Sequence, residues 1–333
     1  MELKMTLAEI EHLSLNALTA AGTSRENAAA VARSTMLAER DGIRSHGLLY
    51  VPIYAEHVRC GKVDGIARPV VAQPRDGAVT VDAATGFAHP AIDAGWDRFV
   101  AAVRKNGVAA MTVFNSYNCG VLGHHAERIA EAGLLGLCAT HAPASISPPG
   151  GHRPVIGTNP FALGVPGEAG RAILVLDQSA SIVAKSEILL RSREGRAIEP
   201  GWAIDADGQP TLDAAAALKG SMLPAGGHKG FGTGLLVEIL ASCLSGAVSS
   251  RDASPFSGTA GGPPRTGQCF IAFDPAAFSA GFPQQVTGLV NAIAAQEGAR
   301  LPGARRQAAR RRTESEGVLV DSALIERIEA FRA

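Results

Sequence analysis

Around residue 70 the chain changes its period, and that change limits the open folds more than any other feature. Before it, apolar residues recur at helical spacing between glycine stops; after it, short apolar runs of strand length alternate with helices. Residues 78–82 read as a strand, 92–106 as a helix stopped by Gly107, and 108–113 as a second strand. A helix to Ala132, a stop at Gly133, and strands at 134–140, 161–165 and 173–176 follow. Strands that neighbour each other without a helix between them break a strict βαβ alternation. The expectation is therefore a mixed sheet covered by helices, an α/β fold.

Ahead of residue 70, Thr6-Leu7-Ala8-Glu9 and Thr23-Ser24-Arg25-Glu26 both read as capping boxes, opening helices that end at Gly22 and near Gly42. Pro52 suits the first position of a third helix, which ends at Gly61. Beyond the central strands, 179–193 looks helical and 201–220 is rich in loops. Residues 231–245 form a strong helix with Leu236, Ile239, Leu240 and Cys243 on one face. The tract 231–248 is the longest apolar one. It contains Glu238 and falls short of the ~20 clean apolar residues of a membrane span, so a buried helix is expected. A loop at 249–267, a strand at 268–273, a helix at 283–296 and a basic segment at 300–312 complete the chain. The expected division is a helical segment 1–68, a central sheet and cofactor-binding region 69–282, and a C-terminal helical segment 283–333 that returns to the N-terminal part.

Thirty-one basic residues balance thirty-one acidic ones, which argues against nucleic acid or an anionic membrane as the main partner. Five cysteines show no paired spacing, so neither a disulfide framework nor a zinc ribbon is indicated. The N-terminus carries no signal-peptide pattern, and a reduced, cytoplasmic setting is expected.

Candidate chemistry is concentrated in a few turns. Ser45-His46-Gly47 follows a helix stop, and imidazole is the side chain best suited to passing a proton near neutral pH. The alternative is that His46 merely caps or packs in a loop. Gly226-Gly227-His228-Lys229-Gly230 precedes a helix, where free backbone N–H groups and one lysine make an anion site or simply a flexible helix entry. Neither a Walker A motif nor a GxGxxG dinucleotide fingerprint is present there. Arg300, Arg305 and Arg306 surround a Leu301-Pro302-Gly303-Ala304 turn, offering either phosphate-binding forks or a solvated face. Gly157-Thr158-Asn159-Pro160 leads into a strand, and Asp177-Gln178-Ser179 ends one, as a ligand contact or a helix cap. His124-His125 lack a third ligand at metal spacing, so no metal site is expected.

Taken jointly, these pieces resemble the malate/L-lactate dehydrogenase family of the non-Rossmann type, with its sulfolactate dehydrogenase and Δ1-piperideine-2-carboxylate reductase branches nearest. The matching residues include Asp41-Gly42, Ser45-His46-Gly47, Gly157 to Pro160, Gly201-Trp202, Asp205 to Thr211, Leu223-Pro224, Gly226 to Gly230 and Arg300 to Gly303, covering nearly the whole chain. The resemblance implies a mostly antiparallel central sheet with helical flanks, a homodimer, and NAD(P) as cofactor. It implies an oxidoreductase interconverting a small 2-oxo acid and its 2-hydroxy acid; the alternatives are a reductase of cyclic imino acids or a nucleotide-binding relative without turnover.

By the same resemblance His46 is the proton donor, with Ser45 beside it and Glu187 as relay carboxylate, a position that is Asp in the imine-reductase branch. Substrate contacts fall on Thr158, Tyr50, Lys185 and Ser186. Cofactor contacts fall on Asn118, Cys119, Gly120, Val121 and Leu122, on Asp177, Gln178 and Ser179, and on His228 and Lys229. They extend to Arg300, Leu301, Pro302, Gly303, Ala304, Arg305 and Arg306. Two departures stand out. The family's usual arginine four residues after the histidine is Tyr50 here, leaving Arg44 or Arg153 to supply a charge, and Tyr117-Asn118 replaces a more usual histidine-bearing pair.

Overall fold

A computed structural model describes residues 1–332. The chain opens with β1 (Glu2–Met5), α1 (Leu7–Ala20) and α2 (Arg25–Arg40), then two 3-10 turns, Arg44–His46 and Leu48–Tyr50, and α3 (Val51–Arg59). The central part runs β2 (Val70–Arg75), β3 (Ala78–Asp82), α4 (Ala88–Asn106), β4 (Val108–Ser116), α5 (Leu122–Glu131), β5 (Leu135–Thr140), β6 (Phe161–Pro166) and β7 (Ala172–Gln178). Next come α6 (Lys185–Arg193), β8 (Ala203–Ile204), α7 (Ala214–Lys219), β9 (Ser221–Met222), α8 (His228–Glu238) and a π turn, Ile239–Cys243. The chain ends with β10 (Thr266–Phe273), α9 (Phe282–Ala294), α10 (Ala304–Glu316), β11 (Val318–Asp321) and α11 (Ser322–Glu329).

Seven strands make one sheet in the order β2-β3-β4-β10-β5-β6-β7. Only β3 and β4 run parallel, joined through α4; every other pairing is antiparallel. The mixed, mostly antiparallel sheet expected from the family resemblance is therefore present. Its main core packs α4 and α5 on the strands, with Ile92, Phe99, Met111, Ile129 and Phe270 all but sealed from solvent. The approach of α5 to β6 is so close that a side chain at Gly164 would overlap the Ala126 carbonyl, which is why a glycine sits in mid-strand.

The structure departs from the sequence reading at four points. The chain ends form a two-stranded ribbon, β1 against β11, which no local pattern announced because Glu2–Met5 is short and mostly exposed. The second helix is capped by Ser24, whose hydroxyl accepts from the Asn27 N–H, not by Thr23. The first is capped as expected, with Thr6 and Glu9 bonded reciprocally. Residues 179–184 are not helical: the Ala180 N–H donates to Thr158 O at 2.8 Å and its carbonyl accepts from Ala225 at 2.8 Å, so its backbone is committed to long-range pairing.

The fourth departure concerns the apolar helix. It begins at His228 and loosens into the π turn, and its apolar side is exposed: Leu235 at 42%, Leu236 at 56%, Ile239 at 52% and Leu244 at 61%. The buried side carries Glu238, whose carboxylate accepts from Asn159 Nδ2 at 2.8 Å, the Ser250 N–H at 2.9 Å and Ser250 Oγ at 2.5 Å. A buried carboxylate with three donors is satisfied, and it dictates which side of the helix faces in. No helix among the described residues is long and apolar enough to cross a membrane.

Candidate active site

His46 closes the first 3-10 turn after α2, and Ser45 Oγ lies 3.1 Å from its Nδ1. That contact leaves Nε2 as the nitrogen without a partner among the described residues. The Tyr50 ring lies parallel to the imidazole, 6° between planes and 6.0 Å between centroids, and Tyr54 packs on Tyr50 at 5.1 Å with its ring tilted by 54°. Burial pushes the His46 pKa below its ordinary value; the Asp177 carboxylate pulls it back up and His124 adds to the depression. These interactions place Asp177 and His124 in the electrostatic neighbourhood of His46.

Two carboxylates assemble the surroundings. Asp41, whose side chain is 1% exposed, accepts from Arg40 Nε at 2.8 Å, His124 Nε2 at 3.1 Å, and Arg310 Nε at 2.9 Å and Nη2 at 2.7 Å. Arg310 also reaches Glu127 through two bonds of 2.8 Å. Burial alone raises the Asp41 pKa, but the bonds from His124, Arg310 and Arg40 outweigh it and hold the carboxyl far below the usual range. Asp177, at the end of β7, accepts from the Gly123 N–H at 2.9 Å and from Arg306 Nη1 at 3.5 Å. Arg306 further donates to Val175 O at 3.3 Å, and Gly303 packs against that same carbonyl. Asn118 Oδ1 accepts from the Gly120 N–H at 2.6 Å and from Tyr54 Oη at 3.3 Å.

Thus the sequence-proposed residues of the 118–122 loop, Asp177 and the 303–306 turn converge on the His46 loop. A second group is stitched to them through the chain after β7. Ser179 and Ala180 connect Asp177 to the Thr158 turn and, through Ala225, to the loop before α8. There His228 and Lys229 are exposed, and among the described residues Lys229, like Arg300 and Arg305, has no ion-pair partner. A cleft of about 620 Å³, bordered by Ser147, Gly150, His152, Asp207, Leu223 and Gly227, adjoins this loop.

Other sequence-proposed residues stand apart from His46. Glu187 accepts from Arg191 Nε at 3.0 Å, one helical turn on, and Arg191 in turn bonds Glu199 and covers the Trp202 ring. Lys185 borders a small cavity of about 100 Å³ beside Ser145 and Met222. The atoms packed round its ammonium push its pKa down although the side chain still reaches solvent. Ser186 and Gln178 are exposed. Asn159 is structural, with its amide on Gly234 O and Glu238. Of the two candidates for a charge beside Tyr50, Arg44 donates to Leu319 O at 3.3 Å and Arg153 is exposed.

A scan against family models matches residues 5–329 to malate/L-lactate dehydrogenase. The chain belongs to the malate/L-lactate dehydrogenase family. It is 40% identical over 332 residues to a Δ1-pyrroline-2-carboxylate reductase of Ancylobacter novellus, covering 98% of this chain and 97% of that one. It is equally 40% identical over 329 residues to a (2R)-3-sulfolactate dehydrogenase (NADP+) of Chromohalobacter salexigens, with 98% and 97% covered. Among solved structures, the Δ1-piperideine-2-carboxylate reductase of Pseudomonas syringae pv. tomato superposes with a TM-score of 0.92 at 34% identity, covering 99% of both chains. These relatives are oxidoreductases, and the family assignment makes this chain one.

Several residues of the site were not singled out from sequence: Arg310, Glu39, Tyr54, and the pairing of His124 with Asp41. Their signal is burial and long-range contact, which spacing does not carry. Because the Asp41 pKa is lowered on folding, its contribution is present above the unfolded carboxyl pKa of ~3.9 and is lost progressively below it. Asp41→Asn should therefore cost about 3 kcal/mol at pH 7. In urea unfolding measured from pH 7 to pH 3, the gap between variant and parent should narrow as the pH falls.

Proposed function

We propose that this protein is an NAD(P)H-dependent reductase of a small cyclic imino carboxylate, with His46 as the proton donor. The observation that carries this reading is a half-buried histidine, oriented by Ser45 and stacked beside Tyr50, with no guanidinium at the position where the family usually has one. A protonated cyclic imine bearing one carboxylate is neutral overall. Tyr50 can donate one hydrogen bond to it without a charge, whereas a dianionic oxo acid has more need of a cation there. The cyclic imino acid substrates in the names of two relatives support the same choice.

The residues fit a dinucleotide. Lys229, Arg300 and Arg305 are cations with no carboxylate partner among the described residues, and the start of α8 offers free N–H groups behind Gly226-Gly227. In this reading the loop 118–122, Asp177 to Ser179, His228-Lys229 and the 300–306 turn hold the cofactor, with Thr158, Tyr50, Lys185 and Ser186 toward the substrate. Bound reduced nicotinamide supplies a hydride. His46 supplies through Nε2 the proton that converts the neutral imine nitrogen to the iminium that accepts the hydride, and Ser45 holds Nδ1. Burial of the imidazole makes its protonated form a stronger acid, which favours transfer. Glu187 serves as relay carboxylate only after exchanging Arg191 for His46.

A second reading, dehydrogenation of a 2-hydroxy acid with NAD(P)+, is favoured by the equal identity to the sulfolactate dehydrogenase. Its proton path is the reverse, with His46 accepting from the hydroxyl. We place either reaction in the cytoplasm, where reduced nicotinamide is supplied and the five free cysteines stay reduced. We assign the exposed side of α8 and its π turn to a second copy of the chain, in keeping with the homodimer expected from the family resemblance.

Purified protein should oxidise NADPH or NADH with Δ1-pyrroline- or Δ1-piperideine-2-carboxylate faster than with pyruvate, oxaloacetate or sulfopyruvate; the reverse order supports the hydroxy-acid reading, and no rate with any of them contradicts both. His46→Ala should lower kcat by about 10²–10⁴-fold. Because the donor must be protonated, reduction should slow as pH rises through the lowered His46 pKa. In light scattering the protein should have the mass of a dimer, and Leu236→Glu should yield monomer; an unchanged mass contradicts the assigned face.

A further inference from the structure

Glu39 lies on α2, two residues before Asp41, and is 5% exposed. Its Oε1 accepts from the Leu48 N–H at 2.8 Å. That N–H is the first of the 3-10 turn Leu48–Tyr50 and has no partner within the turn itself, as is usual for helix starts. The carboxylate therefore closes the start of the turn that carries Tyr50. It also lies flat against Gly47, the residue joining the His46 turn to the Tyr50 turn. A Cβ at Gly47 would overlap the carboxyl oxygen. The glycine is needed here for the close approach. Burial raises the Glu39 pKa, and Arg44 opposes this.

We infer that Glu39 is a positioning residue: by seating Gly47 and holding the Leu48 N–H, it sets the angle at which the His46 and Tyr50 rings face each other. The inference rests on the reading of His46 as proton donor. The chain of contacts is short. Gly47 N–H bonds back to Arg44 O at 3.1 Å and the His46 N–H to Ile43 O at 2.9 Å, which fixes the first turn; Tyr50 N–H bonds to Gly47 O at 2.9 Å, which fixes the second. Glu39 is the side chain that holds the junction between them, and it touches neither ring. Its removal should tilt one turn relative to the other while leaving the cofactor loops 118–122 and 300–306 in place.

The test compares E39A, E39Q, G47A and the double variant E39A/G47A in the full protein, with NADPH affinity by fluorescence and steady-state rates on the active substrate. E39A is expected to lose about tenfold to a hundredfold in kcat, the scale of a small misplacement of a catalytic group, with NADPH affinity unchanged. E39Q keeps an oxygen acceptor for Leu48 and is expected to lose less than about fivefold. G47A is expected to match E39A, and the double variant to be no worse than G47A, since both disturb the same contact. If E39A does not fold, E39L fills its space without an acceptor and takes its place. An active parent whose kcat is unmoved by E39A or E39L overturns the inference and leaves the proposed function standing. A parent inactive on every substrate removes that function. The positioning is then read from the ¹⁵N imidazole resonances of His46: a shift in E39A with E39Q near the parent supports it, and unchanged resonances overturn it.

Discussion

The site depends on one buried carboxylate. Asp41 sits at the C-terminal end of α2 and holds guanidinium groups from its own helix and from α10, together with the His124 imidazole at the start of α5. Isolated in the interior, such a charge is costly; surrounded by three donor groups it is compensated. The consequence is geometric. The helix that delivers the His46 loop, the helix that follows the 118–122 loop, and the helix that follows the 300–306 turn share one fixed point. Asp177 repeats the device at the end of β7, tying the Gly123 N–H to Arg306.

Polar groups also decide the orientation of elements whose apolar content points elsewhere. Glu238 turns its side of α8 inward and leaves leucines outside. Lys62, fully enclosed, donates to the carbonyls of Pro255, Gly258 and Ala260 and fastens the glycine-rich stretch before β10. His57 Nε2 donates to Gly258 O in that stretch and its Nδ1 bonds the Tyr117 hydroxyl, one residue ahead of Asn118, so the loop beside the site is anchored on two sides. Loops carrying function are commonly held by such a rigid scaffold. Here the scaffold is built from satisfied buried charges as much as from apolar packing.

Much of this was legible in the sequence. The strands of the central sheet other than β2 follow from short apolar runs between glycine stops, and the helix after Gly226-Gly227 was expected, but from Phe231 and not from His228. The convergence of His46, Asn118 to Leu122, Asp177 and Arg306 was expected only through the family resemblance, since none of these residues neighbours the others along the chain. What escaped has a common cause. Arg310 meets Asp41 across 269 residues, β11 meets β1 across the whole chain, and Glu39 gains its importance by being buried beneath Gly47. None of these is periodic or local. The Glu187–Arg191 pair is the opposite case: its i,i+4 spacing was visible, and the family resemblance directed Glu187 toward His46 instead.

The central claim is that the imidazole of His46 faces the nicotinamide ring of a cofactor held by loops from the later two-thirds of the chain. A crystal structure of the protein with NADPH tests it most directly. The ring is expected beside His46 Nε2, bordered by the 118–122 loop and Asp177, with the phosphates among Lys229, Arg300 and Arg305. A dinucleotide seated wholly in the cleft between Ser147 and Gly227, with its nicotinamide out of reach of His46, would contradict it.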